Sequence, residues 1–235
     1  MSEKRPDSLT LPLDAIVLDL DDTIFDTTGI LLPAADLRAI ASLRRSGLLL
    51  STDGALARIR ELRAGGAAEP FAALSDEYGL AQSAATDAAR AFFCYEVPAI
   101  ALDADVVVAL NRLRDLAPLC LLTTGDEATQ RAKAEQLGLD AFFTVREFVP
   151  LGSAGGKVAA LDRLLTKHGW RPGRVVFAGD RLDGDVRAAN RCGCVAVWVR
   201  RDGAEFAAMR PTSDDDRPWR TISHVRELPP LLEAQ

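Results

Sequence analysis

Asp19-Leu20-Asp21-Asp22-Thr23 follows directly on the apolar run Ala15-Ile16-Val17-Leu18. A buried strand that ends in a tight turn can aim carboxylates at i and i+2 into one crevice. There one carboxylate can attack an electrophilic centre such as phosphorus while the other moves protons. Crowded carboxylates repel and resist burial unless a cation compensates. Oxygen donors without a thiol or imidazole beside them point to a hard ion such as Mg2+. The plainer reading of the same residues is an acidic turn or helix cap after a strand.

Three further constellations have the same form. Arg174-Val-Val-Phe-Ala-Gly179 leads into Asp180-Arg181-Leu182-Asp183-Gly184-Asp185. Asp180 offers a metal oxygen, Asp185 a contact to a metal-bound water or a brace for a lysine, and Asp183 a helix cap. Pro118-Leu-Cys-Leu-Leu-Thr123 runs into Thr124-Gly125. A hydroxyl followed by the free amides of a helix start suits phosphate oxygens, and it equally suits a simple N-cap. Gly155-Gly156-Lys157 opens a helix whose apolar positions include Val158, Leu161, Leu164 and Leu165. Its lysine is either a point charge for phosphate or an ordinary solvated residue at a helix start. Each signal is weak alone, but two strand-end acidic clusters in one chain weigh more.

The elements that must carry these residues follow from the hydrophobic pattern. The runs at 14–19, 118–123, 174–179 and 194–199 are continuously apolar, as suits parallel strands covered on both faces. Helical patterns lie at about 104–116, 126–138, 156–168 and 183–192. Strand alternating with helix predicts an α/β fold, a doubly wound and mostly parallel sheet of Rossmann-like form. Ligands in such sheets bind beyond the carboxyl ends of the strands, where the polar clusters stand. Residues 27–99 differ: they are rich in Ala, Leu and Arg, with turn signals at Ser46-Gly47, Gly65-Gly66 and Tyr78-Gly79. Leu56, Ile59, Leu62 and Arg63 have helical spacing there. The expected organisation is a core from 1–26 and 100–235, interrupted by a smaller helical domain at 27–99. Residues 1–12 read as a polar lead-in, 210–218 as a solvated loop, and 219–232 as a last short strand and helix.

Bulk properties exclude several classes. The chain has 235 residues and a formal net charge of -6, which gains nothing from counterion release on nucleic acid. No stretch approaches the roughly 18 apolar residues of a membrane span, and the N-terminus lacks the apolar segment of a secretory signal. The expectation is therefore a cytoplasmic protein, monomeric or homodimeric, without membrane or nucleic-acid partners. Cys94, Cys120, Cys192 and Cys194 form no C-x-x-C pair, so neither zinc nor a disulfide framework is indicated. His168 and His224 fall outside every motif.

Taken in order, the four constellations resemble the motifs of the haloacid dehalogenase-like superfamily, and the resemblance covers nearly the whole chain. DLDDT resembles its nucleophile motif D-x-D-x-T, Thr123-Thr124-Gly125 its second motif, Lys157 its third, and GDRLDGD its acidic fourth. The insert at 27–99 falls where the capped branch carries its helical cap. The chain departs from many capped relatives in having Gly-Lys-Val-Ala rather than Lys-Pro-x-Pro, and Thr124 stands where Asn is usual. The dehalogenases of the superfamily lack the second Asp of D-x-D, so Asp21 favours phosphoryl transfer.

The resemblance implies a Mg2+-dependent phosphatase acting on a small-molecule phosphate ester. Asp19 is its implied nucleophile, Asp21 its acid and base, and Asp19, Asp21 and Asp180 its metal ligands. Thr123, Thr124, Gly125 and Lys157 would hold the phosphate, supported by Thr23 and Asp185. The alternatives are a phosphomutase with the same nucleophile, or a non-catalytic phospho-acceptor of the receiver type. A receiver needs about half this length and no insert. The cap is expected to close over the pocket. Arg58, Arg60 and Arg63 are its candidates for a second anionic group, or else a solvated helix face. Phe92, Phe93 and Tyr95 are expected in the cap core.

Overall fold

The computed structural model describes residues 9–64, 67 and 69–234. The first eight residues of the lead-in and the Gly65-Gly66 turn lie outside the described residues. Six parallel strands form one sheet among the described residues: β1 Ala15–Leu18, β2 Leu119–Gly125, β3 Phe143–Pro150, β4 Val175–Gly179, β5 Val195–Val199 and β6 Arg220–Ile222. Their order is β3-β2-β1-β4-β5-β6, so the chain winds outward from β1 in both directions. That reversal beside β1 is the switch point at which doubly wound sheets open a ligand crevice.

The helices, in chain order, are α1 Thr27–Ile30, α2 Leu32–Arg45, α3 Thr52–Ala64, α4 Pro70–Glu77 and α5 Gln82–Phe93 in and around the insert. They continue as α6 Ala104–Leu116, α7 Glu127–Gln136, α8 Gly156–His168, α9 Arg187–Arg191 and α10 Leu228–Glu233. The chain divides into two compact units, one built from the residues up to Thr27 and from Val97 on, the other from Thr28–Glu96.

In the first unit, every residue of β1, β4 and β5 is buried, as their unbroken apolar runs require. Val17, Cys120, Leu122, Phe177 and Ala196 pack with Leu161, Leu164 and Leu165 of α8 and with Ala188 and Ala189 of α9. Burial pushes the Cys120 thiol up to about 12, so it acts as a small hydrophobe. Two sequence expectations need correction. The strand β3 was not expected, because its sequence FTVREFVP includes Arg146 and Glu147 and its burial is broken. As the edge strand it needs no apolar run. In place of one helix over 183–192, a π-helical turn at Leu182–Val186 precedes the short α9.

The second unit has its own core, in which Ile40, Leu43, Ile59, Leu74, Ala84 and Ala88 are buried and Phe92 packs against them. Arg63 is not on a solvated face: it forms a two-pronged bond to Asp36, at 2.8 and 2.7 Å, inside this unit. Arg58 is half-buried and pairs with Glu61 and Glu77, and Arg60 faces solvent. Phe93 is exposed, while Tyr95 stacks under the Arg38 guanidinium at 4.0 Å.

The register of the first unit prepares the site. Leu18 pairs with Leu121 on one side and Ala178 on the other. Residues just beyond these three therefore emerge at one edge of the sheet, and they are Asp19, Thr123 and Asp180.

Candidate active site

Asp19 is held at its strand end by its own amide, which donates to the Ala178 carbonyl at 3.0 Å. Its carboxylate is buried, and Lys157 Nζ lies 2.8 Å from Oδ1. The contact is an ion pair without a well-directed hydrogen bond, and it leaves Oδ1 with no hydrogen-bonding partner among the described residues. Lys157, in the first turn of α8, donates to Asp185 Oδ1 at 2.5 Å, and the Arg181 amide donates to Asp185 Oδ2 at 2.9 Å. Asp185 is fully buried, and only a glycine before Asp180 leaves room for it. A Cβ on Gly179 would stand 2.3 Å from Asp185 Cγ. Asp180 is fixed through its carbonyl, which accepts from Trp198 Nε1 at 2.7 Å.

The carboxylates of Asp19, Asp180 and Asp185 bring ligand oxygens within 4.8 Å of one another, all buried. Lys157 alone does not balance them. Burial pushes the Asp19 pKa up to about 6; Lys157 opposes the rise, and the Asp185 and Asp21 carboxylates add to it. Burial, then Asp185, Asp19 and Asp22, push Asp180 well above the usual carboxylate range. Burial works against the Lys157 charge, but Asp185 and Asp19 outweigh it and hold its pKa above that of an ordinary lysine. A crowded, buried set of hard oxygen donors with a surplus of negative charge fits a divalent cation such as Mg2+.

Asp21 is placed differently. After Leu20 the chain turns sharply: Asp22 takes φ 54°, a left-handed conformation that Asp tolerates better than most residues. Its amide donates to the Phe25 carbonyl at 2.7 Å. The Asp21 carboxylate, part-exposed, accepts from Lys133 Nζ at 2.7 Å and from Gln130 Nε2 at 2.7 Å, and from the Thr27 hydroxyl. Burial raises its pKa, but Lys133 and the hydrogen bonds outweigh that and hold it below the usual carboxylate value. The same Gln130 amide donates to Thr123 Oγ1 at 2.8 Å and to the Thr124 carbonyl at 3.3 Å.

The acidic group in the structure thus differs in one member from the ligand set expected from sequence. Asp185 joins Asp19 and Asp180, whereas the Asp21 carboxylate is drawn toward α7 by Lys133. Thr123 is buried beside them. Thr124 is half-buried at the end of β2, and Gly125 packs against the Gln130 side chain. Thr23 is fully buried, and its hydroxyl meets no partner among the described residues. Asp183 pairs at the surface with Arg181 and lies outside the acidic group. Gln130 and Lys133 were not anticipated. On a helix they read as routine polar residues, and the only available signal was their i, i+3 spacing just after Thr123-Thr124-Gly125.

The family model of haloacid dehalogenase-like hydrolases matches residues 13–193. A glyceraldehyde 3-phosphate phosphatase of Methanopyrus kandleri is 36% identical over 130 residues, which is 53% of each chain. The N-acylneuraminate-9-phosphatase of Homo sapiens is 32% identical over 135 residues, 55% of this chain and 51% of its own. The chain therefore spans about half the length of the curated relatives it matches. Among solved structures, the HAD-hydrolase YfnB of Bacillus subtilis, bound to magnesium, superposes with a TM-score of 0.66 at 20% identity, covering 94% of this chain and 98% of its own. No helix among the described residues is long and apolar enough to cross a membrane.

Proposed function

The chain belongs to the haloacid dehalogenase-like hydrolases, and from that premise we propose that it is a Mg2+-dependent phosphatase of small phosphorylated metabolites. The observation that carries the reading is the buried group of Asp19, Asp180 and Asp185 with Lys157 among them, beside a separately held Asp21. The named activities of the M. kandleri and human relatives support the substrate class.

In the proposed mechanism, Asp19 attacks phosphorus in line and takes the phosphoryl group as an aspartyl-phosphate. Asp21, taking up a proton as the anionic phosphate ester binds beside it, gives that proton to the departing alkoxide and regains one from the water that hydrolyses the intermediate. Lys157 and the Thr123 hydroxyl face the equatorial phosphoryl oxygens and stabilise their charge. Asp19 and Asp180, with Asp185 adjoining, would hold Mg2+, which would neutralise the carboxylates and the phosphoryl charge. Lys133 and Gln130 hold the Asp21 carboxylate through contacts that the buried acidic group of Asp19, Asp180 and Asp185 does not share.

The test is a panel of phosphorylated metabolites assayed with Mg2+ and with chelator. Hydrolysis should require the metal, and a folded Asp19→Asn protein should lose more than about a hundredfold in rate. Full activity in chelator, or an active Asp19→Asn protein, would overturn the proposal.

A further inference from the structure

Lys133 is buried, with 6% of its side chain exposed, yet its partner Asp21 has 28% of its side chain open to solvent. Burying an ammonium is costly, and a half-open carboxylate offers modest compensation, so the pair is a poor source of stability. Gln130 is also buried, and its amide touches both Asp21 and Thr123, residues from two different strand ends. The sequence makes room for it: a Cβ on Gly125 would stand 2.8 Å from Gln130 Cγ. The Asp126 carboxylate caps α7 by accepting from the Thr129 amide at 2.9 Å, which fixes the helix start and brings Gln130 and Lys133 onto one face.

From this geometry we infer that Lys133 and Gln130 are positioning residues, clamping the proton-handling carboxylate of Asp21 to the phosphoryl-binding hydroxyl of Thr123. The inference rests on the acid–base role proposed above for Asp21. A carboxylate oxygen offers about two acceptor sites. Those of Asp21 Oδ1 are taken by Lys133 and Thr27, whereas Oδ2 receives Gln130 alone among the described residues. Oδ2 is therefore the oxygen with a site to spare, and the proton to the leaving group passes through it. Gln130 sets Thr123 in the same way. Because the amide donates to Thr123 Oγ1, the hydroxyl hydrogen is free to point at a phosphoryl oxygen. One buried amide thus places a proton carrier and a phosphate donor at a set spacing.

The experiment compares an alkyl phosphate, whose leaving group needs a proton, with an aryl phosphate, whose leaving group does not. Lys133→Met and Gln130→Met each keep an unbranched side chain in the helix, and the second guards against a folding failure of the first. Each should lower the single-turnover rate of alcohol release from the alkyl ester by about a hundredfold, on the scale of a general-acid contribution, and from the aryl ester by less than about tenfold. KM should stay near that of the parent. In an Asp21→Asn background, Lys133→Met should cost less than about twofold further, because the lysine acts through Asp21. If Asp21→Asn shows the selective alkyl loss while both Met variants slow the two esters equally, the clamp is overturned and the acid–base reading stands. If Asp21→Asn itself slows alcohol release in a single turnover equally for both esters, the acid–base reading fails and takes the clamp with it.

Discussion

Replacing Asp180 with asparagine should stabilise the protein in chelator while destroying its activity. Asp180 is buried, and its carboxylate can approach those of Asp19 and Asp185 within 4.8 Å. At an effective dielectric constant of about 20, each repulsion at that separation is about 3.5 kcal/mol. Lys157 contacts both other carboxylates, at 2.8 and 2.5 Å, and so offsets roughly one of the two repulsions felt by Asp180. About 3.5 kcal/mol remains. Proton uptake by Asp180, relaxation of the pocket and the imperfect fit of an amide reduce the net gain to about 1–3 kcal/mol. For a chain of this size that raises Tm by about 2–12 °C. The assay is thermal unfolding of parent and variant, each in chelator and in saturating Mg2+. The parent should gain about 2.7 kcal/mol at a hundred times Kd, and the variant far less. An Asp180→Asn protein that melts lower than the parent in chelator would refute the claim that these carboxylates are in net repulsion.

Two further outcomes follow from the geometry. Gly179→Ala should cost about 1–3 kcal/mol of stability, read by denaturant unfolding, and should reduce turnover as well. Its methyl would stand 2.3 Å from Asp185 Cγ, forcing the carboxylate off Lys157. Asp216 accepts from Arg187 at 2.8 and 3.1 Å and from the Thr212 hydroxyl at 2.7 Å. Burial raises its pKa, but these bonds outweigh that and hold it well below the usual carboxylate range. Its contribution to stability is therefore complete above about pH 4 and is lost as the pH falls through the folded-state value. The gap in stability between parent and Asp216→Asn should accordingly close on acidification, and a constant gap from pH 7 to pH 3 would contradict this.

The parts of the fold legible in the sequence are those where burial leaves no freedom. The four central runs are apolar throughout because both faces of β1, β2, β4 and β5 are covered, and the limits of α6 and α8 follow the expected helical periods. β3 escaped because an edge strand accommodates Thr144, Arg146 and Glu147 in its partly exposed positions. The same distinction governs the site. Asp19 and Asp180 stand at strand ends, Asp185 in the turn that follows β4 and Lys157 at a helix start, where local sequence announces them. The fate of Asp21 depends on Lys133, 112 residues away, and no local pattern reports that pairing. The i, i+2 spacing of Asp19 and Asp21 predicts one shared crevice. The two carboxylates have different lysine partners, Lys157 for Asp19 and Lys133 for Asp21, which that spacing does not report.

Phosphoryl transfer to Asp19 can be tested by trapping the covalent intermediate. The Asp21→Asn protein suits the experiment, because an aryl leaving group needs no proton while hydrolysis of the intermediate still lacks its base. After mixing with an aryl phosphate and Mg2+, rapid quenching and borohydride reduction convert an aspartyl-phosphate to homoserine, which is located by peptide mass spectrometry. The account predicts a burst of aryl alcohol and homoserine at position 19. Steady release of aryl alcohol with Asp19 unmodified, or homoserine at another position, would contradict it.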